Sequence, residues 1–346
     1  MMSQNRLGCV IAAMVLALMI SMVINAGFLV TFAMRSATTR SDAPNSVGPY
    51  TETEVLKAED ETEGKKEKKK VVLISLRGVI SGAQPGKVGE SEVDDLLLQL
   101  SQAQKDPLVS AVILRVDSPG GEVTASDVLY EAVLRLKGVK PVVVIMESVA
   151  ASGGYYVACA GTHIFAHATT ITGSIGVIMQ TVNYRELLGK VGLEVMTFKS
   201  GAMKDLLNGA RQLTEEEKKY VQGMIDQSYG RFVGIVAKSR GIEESVLRNG
   251  IADGRILSGM TAHKERLIDE IGGLDEAIQK ARDLGKTPHA AVVRYDVGAS
   301  LGKILRLLGE ATPQKQTKVD VDVAGSRAMQ KLQNGRLYYM SPLMTE

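Results

Sequence analysis

Hydrophobic and polar positions divide the chain into successive regimes. From Leu7 to Met34 every residue is apolar, small or uncharged. From Arg35 to about Lys70 the chain is polar and charged, with no apolar period. From Val71 onward short apolar runs alternate with amphipathic segments, and beyond about Leu301 the pattern fades. The alternating region predicts strands at Val71–Leu76, Val109–Val116, Pro141–Met146, around Ile164, and at Gly176–Val182, Val195–Lys199 and Ala290–Val297. It predicts helices at Glu90–Ala103, Thr124–Leu136, Gly153–Ala160, Tyr184–Val191, Thr214–Arg240, Glu243–Arg248, Thr261–Asp269 and Leu274–Asp283. Thr214 followed by Glu217 reads as a capping box. Strands alternating with helices imply βαβ units and a largely parallel sheet, an α/β fold.

The first apolar stretch exceeds the about 20 residues that cross a bilayer as a helix, and the about 7–15 of a cleavable signal peptide. It predicts a retained transmembrane anchor over 7–34 behind a short flank at 1–6, with cleavage after Ala26 as the alternative. Arg6 before the span and Arg35 and Arg40 after it would, counted locally, place the N-terminus outside. Residues 35–70 read as a solvated linker, ending in Lys65–Lys66–Glu67–Lys68–Lys69–Lys70. That run forms a plain stalk or touches anionic headgroups.

Hydrophobic residues make up 45% of the chain, enough for a sizeable core. With 41 basic against 39 acidic residues the net charge is +2, which gives no electrostatic case for nucleic acid. Two cysteines and four histidines offer no zinc-ligand spacing, so neither metal nor cofactor is expected. Cys9 and Cys159 belong to segments of different phase, so no structural disulfide is expected between them.

Two Gly-rich turns follow predicted strands: Asp117–Ser118–Pro119–Gly120–Gly121, and Val149 to Tyr156 with Ser152–Gly153–Gly154 at its centre. The carboxyl ends of parallel strands are where ligands gather. A small-residue turn entering a helix exposes one hydroxyl and free backbone N–H groups. Acyl transfer needs that pairing of nucleophile and oxyanion donors. Ser152 is therefore the expected nucleophile, with the N–H groups of Gly121 and Gly153 as the oxyanion hole. Ser118 reads as a structural hydroxyl, and Asp117 as an acceptor that closes its turn. Tyr155 and Tyr156 divide between substrate contact and core. For a base, His163, His167, His263 and His289 belong to no motif. Lys204, among Met203, Leu206 and Leu207, becomes a base only if burial lowers its ordinary pKa of about 10.4. Asp205 opposes that shift unless it points outward.

From about Val71 to Tyr295 the chain resembles the short signal peptide peptidase A proteins. The resemblance rests on D-S-P-G-G at Asp117–Gly121, A-A-S-G-G-Y-Y at Ala150–Tyr156, T-G-S-I-G-V at Thr172–Val177, S-G-x-x-K-D at Ser200–Asp205 and A-D-G-R at Ala252–Arg255. It implies a ClpP/crotonase-like spiral of βαβ units over 71–300, with 301–346 as an extension, docked or flexible. It also implies Ser152 as nucleophile, Lys204 as general base 52 residues on, and Ser174 as the hydroxyl that orients the lysine. An extended peptide is expected to pair near Gly176, Val177 and Ile178. The family further implies apolar peptides such as signal-peptide remnants as substrates and a ring-like homo-oligomer. It places the catalytic domain outside the cytoplasm of a bacterial cell, against the local charge count. Two rival readings are an acyl-CoA-binding crotonase relative, which needs no Ser-Lys pair, and a non-catalytic membrane scaffold.

Overall fold

The computed structural model describes residues 49–58, 69–82, 91–297 and 338–340, with positions 14, 18–22, 24, 25, 27 and 28 near the N-terminus. The chain divides into two units, Met1–Ser46 and Val47–Glu346. In the first, the described positions are helical, and Met14, Leu18, Met22 and Phe28 stand mostly exposed. Most of the expected 7–34 anchor lies outside the described residues. Among the described residues, no helix is long and apolar enough to cross a membrane.

The second unit is built on one large sheet. Its strands are β1 (Tyr50–Leu56), β2 (Lys70–Arg77), β3 (Val109–Ser118), β5 (Val142–Ala151), β6 (His163–Ala166), β7 (Ile171–Gly173), β8 (Ile256–Ser258), β9 (Glu270–Ile271) and β10 (Ala291–Val297). They run in the order β1-β10-β2-β3-β5-β6-β9, with β7 beside the upper end of β5 and β8 beside β7. A separate small ribbon joins β4 (Gly120–Glu122) to β11 (Tyr338–Met340). The sheet is parallel from β10 to β9, and β1 and β8 pair antiparallel to it.

Side-chain alternation sorts the strands onto two cores. Val72, Ile74, Leu114, Val116, Val144 and Met146 face one side, against α1 (Glu92–Lys105), α2 (Val123–Lys137) and α3 (Gly153–Ala158). Val71, Leu73, Ile113, Val143 and Ile145 face the other, covered by Ala277, Ile278 and Ala281 of α8 (Leu274–Leu284). Burial on both faces is what makes these strands read as continuous apolar runs. The expected α/β architecture is therefore observed. Three more helices complete the unit: α5 (Glu215–Arg240), capped by Thr214 and Glu217 as the capping box predicts, and the short α6 (Glu244–Arg248) and α7 (Gly259–Lys264).

Three expectations differ. Residues 50–56, read as linker, form edge strand β1, because Thr-Glu-Thr-Glu carries no apolar signal yet its backbone completes β10. Residues 176–182 and 195–199 are not strands: β-branched content favours strand, but among the described residues neither forms a ladder, and Ile178 alone makes an isolated bridge. Between them lies only the short helix α4 (Arg185–Lys190). The region 181–211 folds back on itself instead, with Tyr184 N–H donating to Gly209 O and Thr181 Oγ1 to Leu207 O.

Candidate active site

Ser152 stands at the junction of β5 and α3, where the strand ends against Gly173 O and the helix begins. Its backbone sits at φ 52°, ψ −116°, a region that costs a non-glycine residue of the order of 1–3 kcal/mol. Such a strained strand-to-helix turn is the arrangement that presents a nucleophile above a parallel sheet. Ser152 N–H donates to Gly173 O, and Tyr156 N–H takes Ser152 O as the first bond of α3. The hydroxyl is buried, and among the described residues no group hydrogen-bonds it.

The two glycines expected beside it are close together. A Cβ on Gly153 would lie 3.1 Å from Gly121 N and 2.5 Å from Ser126 Oγ. A Cβ on Gly121 would fall 2.0 Å from Ile80 O, so only glycine fits there. Ser126, which sequence reasoning did not single out, anchors its hydroxyl on Glu122 O at 2.8 Å. Its signal was a small polar residue one helical turn after the first Gly-rich turn. Ser118 Oγ accepts from Gly120 N–H at 3.1 Å, the structural role expected of it. Asp117 accepts from Val149 N–H, on the neighbouring strand rather than in its own turn.

Both tyrosines of the motif are buried. Tyr155 donates to Leu267 O, and Tyr156 donates to Asp127 Oδ1 at 2.5 Å. Arg231 of α5 meets the same carboxylate, so this triad ties α2, α3 and α5 together. Cys159, at the end of α3, is a free thiol that burial pushes up to about 12.

Ser174 follows Gly173, is buried, and also has a positive φ of 51°. Its N–H donates to Arg255 O, which explains why the A-D-G-R turn travels with the site. Gly176 packs near Gly254, Val177 is half-buried, and Ile178 reaches the surface.

Lys204 makes no hydrogen bond to the Ser152 hydroxyl. It is exposed, in a turn whose N–H donates to Gly201 O. Asp205 turns to Arg211 and Lys199, with Arg211 Nε and Nη2 each 2.7 Å from its two oxygens. Arg211 also grips Glu217, and its guanidinium, aided by Thr214 N–H, holds that carboxyl down to about 2. The turn is thus clamped to the start of α5. The histidines lie elsewhere: His163 meets Asp269 and Glu270, and His167 faces Glu147. Among the described residues, no group of three or more His, Cys, Asp or Glu is placed to hold a metal.

The ribbon beside the site is formed by the chain itself. Tyr338, Tyr339 and Met340 pair antiparallel with Glu122, Gly121 and Gly120, and the strand also lies against α2 and α3. The expected pairing edge was at Gly176–Ile178; the edge occupied here is β4.

Comparison with known proteins places the chain in a family. The model of peptidase family S49 matches residues 135–287, and the model of Clp protease matches 69–175. An Enterococcus faecium protein named "Putative signal peptide peptidase SppA" is 36% identical over 66% of this chain and 67% of its own length. A Synechocystis protein named "Putative protease slr0021" is 36% identical over 73% of this chain and 87% of its own. Protease 4 of Salmonella typhi is 34% identical over 62% of this chain, which spans 35% of that longer protein. The chain belongs to peptidase family S49, together with the signal peptide peptidase A proteins its motifs resemble, and it is a serine peptidase.

Proposed function

We propose that the protein is a membrane-anchored endopeptidase that hydrolyses apolar peptides such as signal-peptide remnants, with Ser152 as nucleophile and Lys204 as general base. The observation that carries this reading is the antiparallel strand Tyr338–Met340 on β4, the strand whose Gly121 lies beside Gly153, the residue after the strained Ser152. An extended peptide bound there gains main-chain hydrogen bonds whatever its sequence, which suits a peptidase for unfolded segments. Gly176, Val177 and Ile178 are read as further substrate contacts.

In the mechanism, Ser152 Oγ attacks the peptide carbonyl while neutral Lys204 takes its proton. The N–H groups of Gly121 and Gly153 receive the oxyanion, Lys204 protonates the leaving amine, and water hydrolyses the acyl-enzyme. Ser174 orients the lysine amine. No cofactor enters these steps.

The exposed position of Lys204 sets a condition. The region that carries it leaves Leu187, Val191, Leu193, Met196 and Phe198 uncovered, Phe198 at 93% exposure. Contiguous apolar surface of this kind marks an interaction face. A ring-like homo-oligomer covers it, desolvates the Lys204 turn and brings a lysine to each Ser152. The apolar 7–34 stretch anchors the ring in a bacterial cell membrane by a single span, with the catalytic domain on the extracytoplasmic side.

The occupied β4 edge supplies a test. Removing residues 338–346 from the full chain lowers the KM for an added apolar peptide severalfold, because the internal strand no longer competes. An unchanged KM would mean that β4 is not the substrate edge.

A further inference from the structure

β4 ends at Glu122, where the chain turns into α2. The next two residues, Val123 and Thr124, open α2 and line a groove of about 640 Å³ between α2 and α5. Tyr130, Leu134 and Ile235 make its inner surface apolar, and Tyr130 and Ile235 are buried. Its rim carries Asp127 and Glu131 opposite Arg231 and Lys238. Arg231 pairs with both carboxylates, at 2.7 and 3.1 Å, so the rim is charge-balanced and the groove selects on apolar surface.

The β4–β11 register gives the direction in which a bound peptide leaves the site. Tyr338 lies opposite Glu122 and Met340 opposite Gly120, so a peptide in this register runs its amino-terminal side toward Val123 and Thr124. From Val123 to Leu134, α2 advances about 16 Å at ~1.5 Å per residue. That length accommodates about five extended residues at ~3.3 Å each. The groove wall is also joined to the nucleophile's helix, since Tyr156 of α3 donates to Asp127.

We propose that the α2–α5 groove is a distal subsite for the peptide, taking apolar side chains from up to about five residues upstream of the strand that pairs with β4. This rests on the reading of β4 as the substrate edge. The enzyme then measures the length of apolar segment ahead of the cut, and discriminates long apolar remnants from short ones.

The test uses the full-length chain in mild detergent and two fluorogenic peptides identical around the scissile bond, with two or seven apolar residues before it. The expected kcat/KM is about tenfold higher for the longer peptide, the scale of one buried apolar side chain. Gly234→Leu fills the groove from α5 at a position where a Cβ meets only Glu244 Oε1, at 3.4 Å. Leu134→Glu makes the opposite wall polar at a surface position. Both variants bring the ratio to about one and leave the short peptide unchanged. A wild-type ratio near one, an equal fall on both peptides, or a change of oligomeric state in both variants overturns the subsite. Failure to cleave either peptide speaks against the peptide-edge reading itself, and with it this one.

Discussion

Gly121 reaches the site on strand β4 and Gly153 at the start of helix α3, yet a Cβ on Gly153 would stand only 3.1 Å from Gly121 N. Their N–H groups act as a pair only while neither residue carries a side chain. In Gly153→Ala the Ser126 hydroxyl, 2.5 Å from the new Cβ, turns aside at the cost of its bond to Glu122 O, and the fold survives. The shifted N–H costs kcat about a hundredfold, the effect of one lost oxyanion donor, with KM little changed. Gly121→Ala drives its Cβ into backbone at Ile80 and loses stability as well, by about 1–3 kcal/mol. Steady-state kinetics beside thermal melts separates the two.

Tyr156 joins the nucleophile's helix to its surroundings by one hydroxyl. Tyr156→Phe keeps the ring between Tyr130 and Phe232 and loses the bond to Asp127, which retains Arg231. The expected cost is about 1 kcal/mol of stability, read as a shift of the urea midpoint at constant slope. An unchanged midpoint would mean that the triad does not tie α2, α3 and α5 together.

The Lys204 turn is held by charge, which makes it sensitive to acid. Glu217 has its carboxyl lowered from 4.5 to about 2, chiefly by Arg211. A depressed carboxylate contributes stability above its ordinary pKa and loses it as pH falls toward the folded value. Hydrogen exchange across 199–217 therefore accelerates as pH drops from about 4.5 toward about 2, relative to an unstructured control peptide. In Arg211→Met the same segment is already fast at neutral pH. Equal rates in wild type and variant would show that the clamp does not order the turn.

Much of this architecture was legible because burial writes itself into sequence. β2, β3 and β5 are covered on both faces and read as apolar runs. The start of α5 was legible from Thr214 and Glu217. The edges were not. β1 is polar over Thr51–Glu54, and β4 is Gly-Gly-Glu, so pairing with a distant partner is what makes either a strand. Ser152 stood out because small residues clear space around one hydroxyl. Lys204 did not: it is one lysine among many, exposed in this chain, and only the resemblance of its S-G-x-x-K-D motif singles it out. Arg231 and Arg211 were missed because their partners lie on other elements or across a turn, where periodicity carries no signal.

The central claim is the Ser152–Lys204 pair, and the most direct measurement is cleavage of an apolar fluorogenic peptide by the full-length protein in detergent. Wild type, Ser152→Ala and Lys204→Ala are compared at equal oligomeric state and equal thermal stability. The account predicts turnover by wild type and a fall to background in both variants. Activity that survives Lys204→Ala would contradict it, and would mean that a different group takes the Ser152 proton.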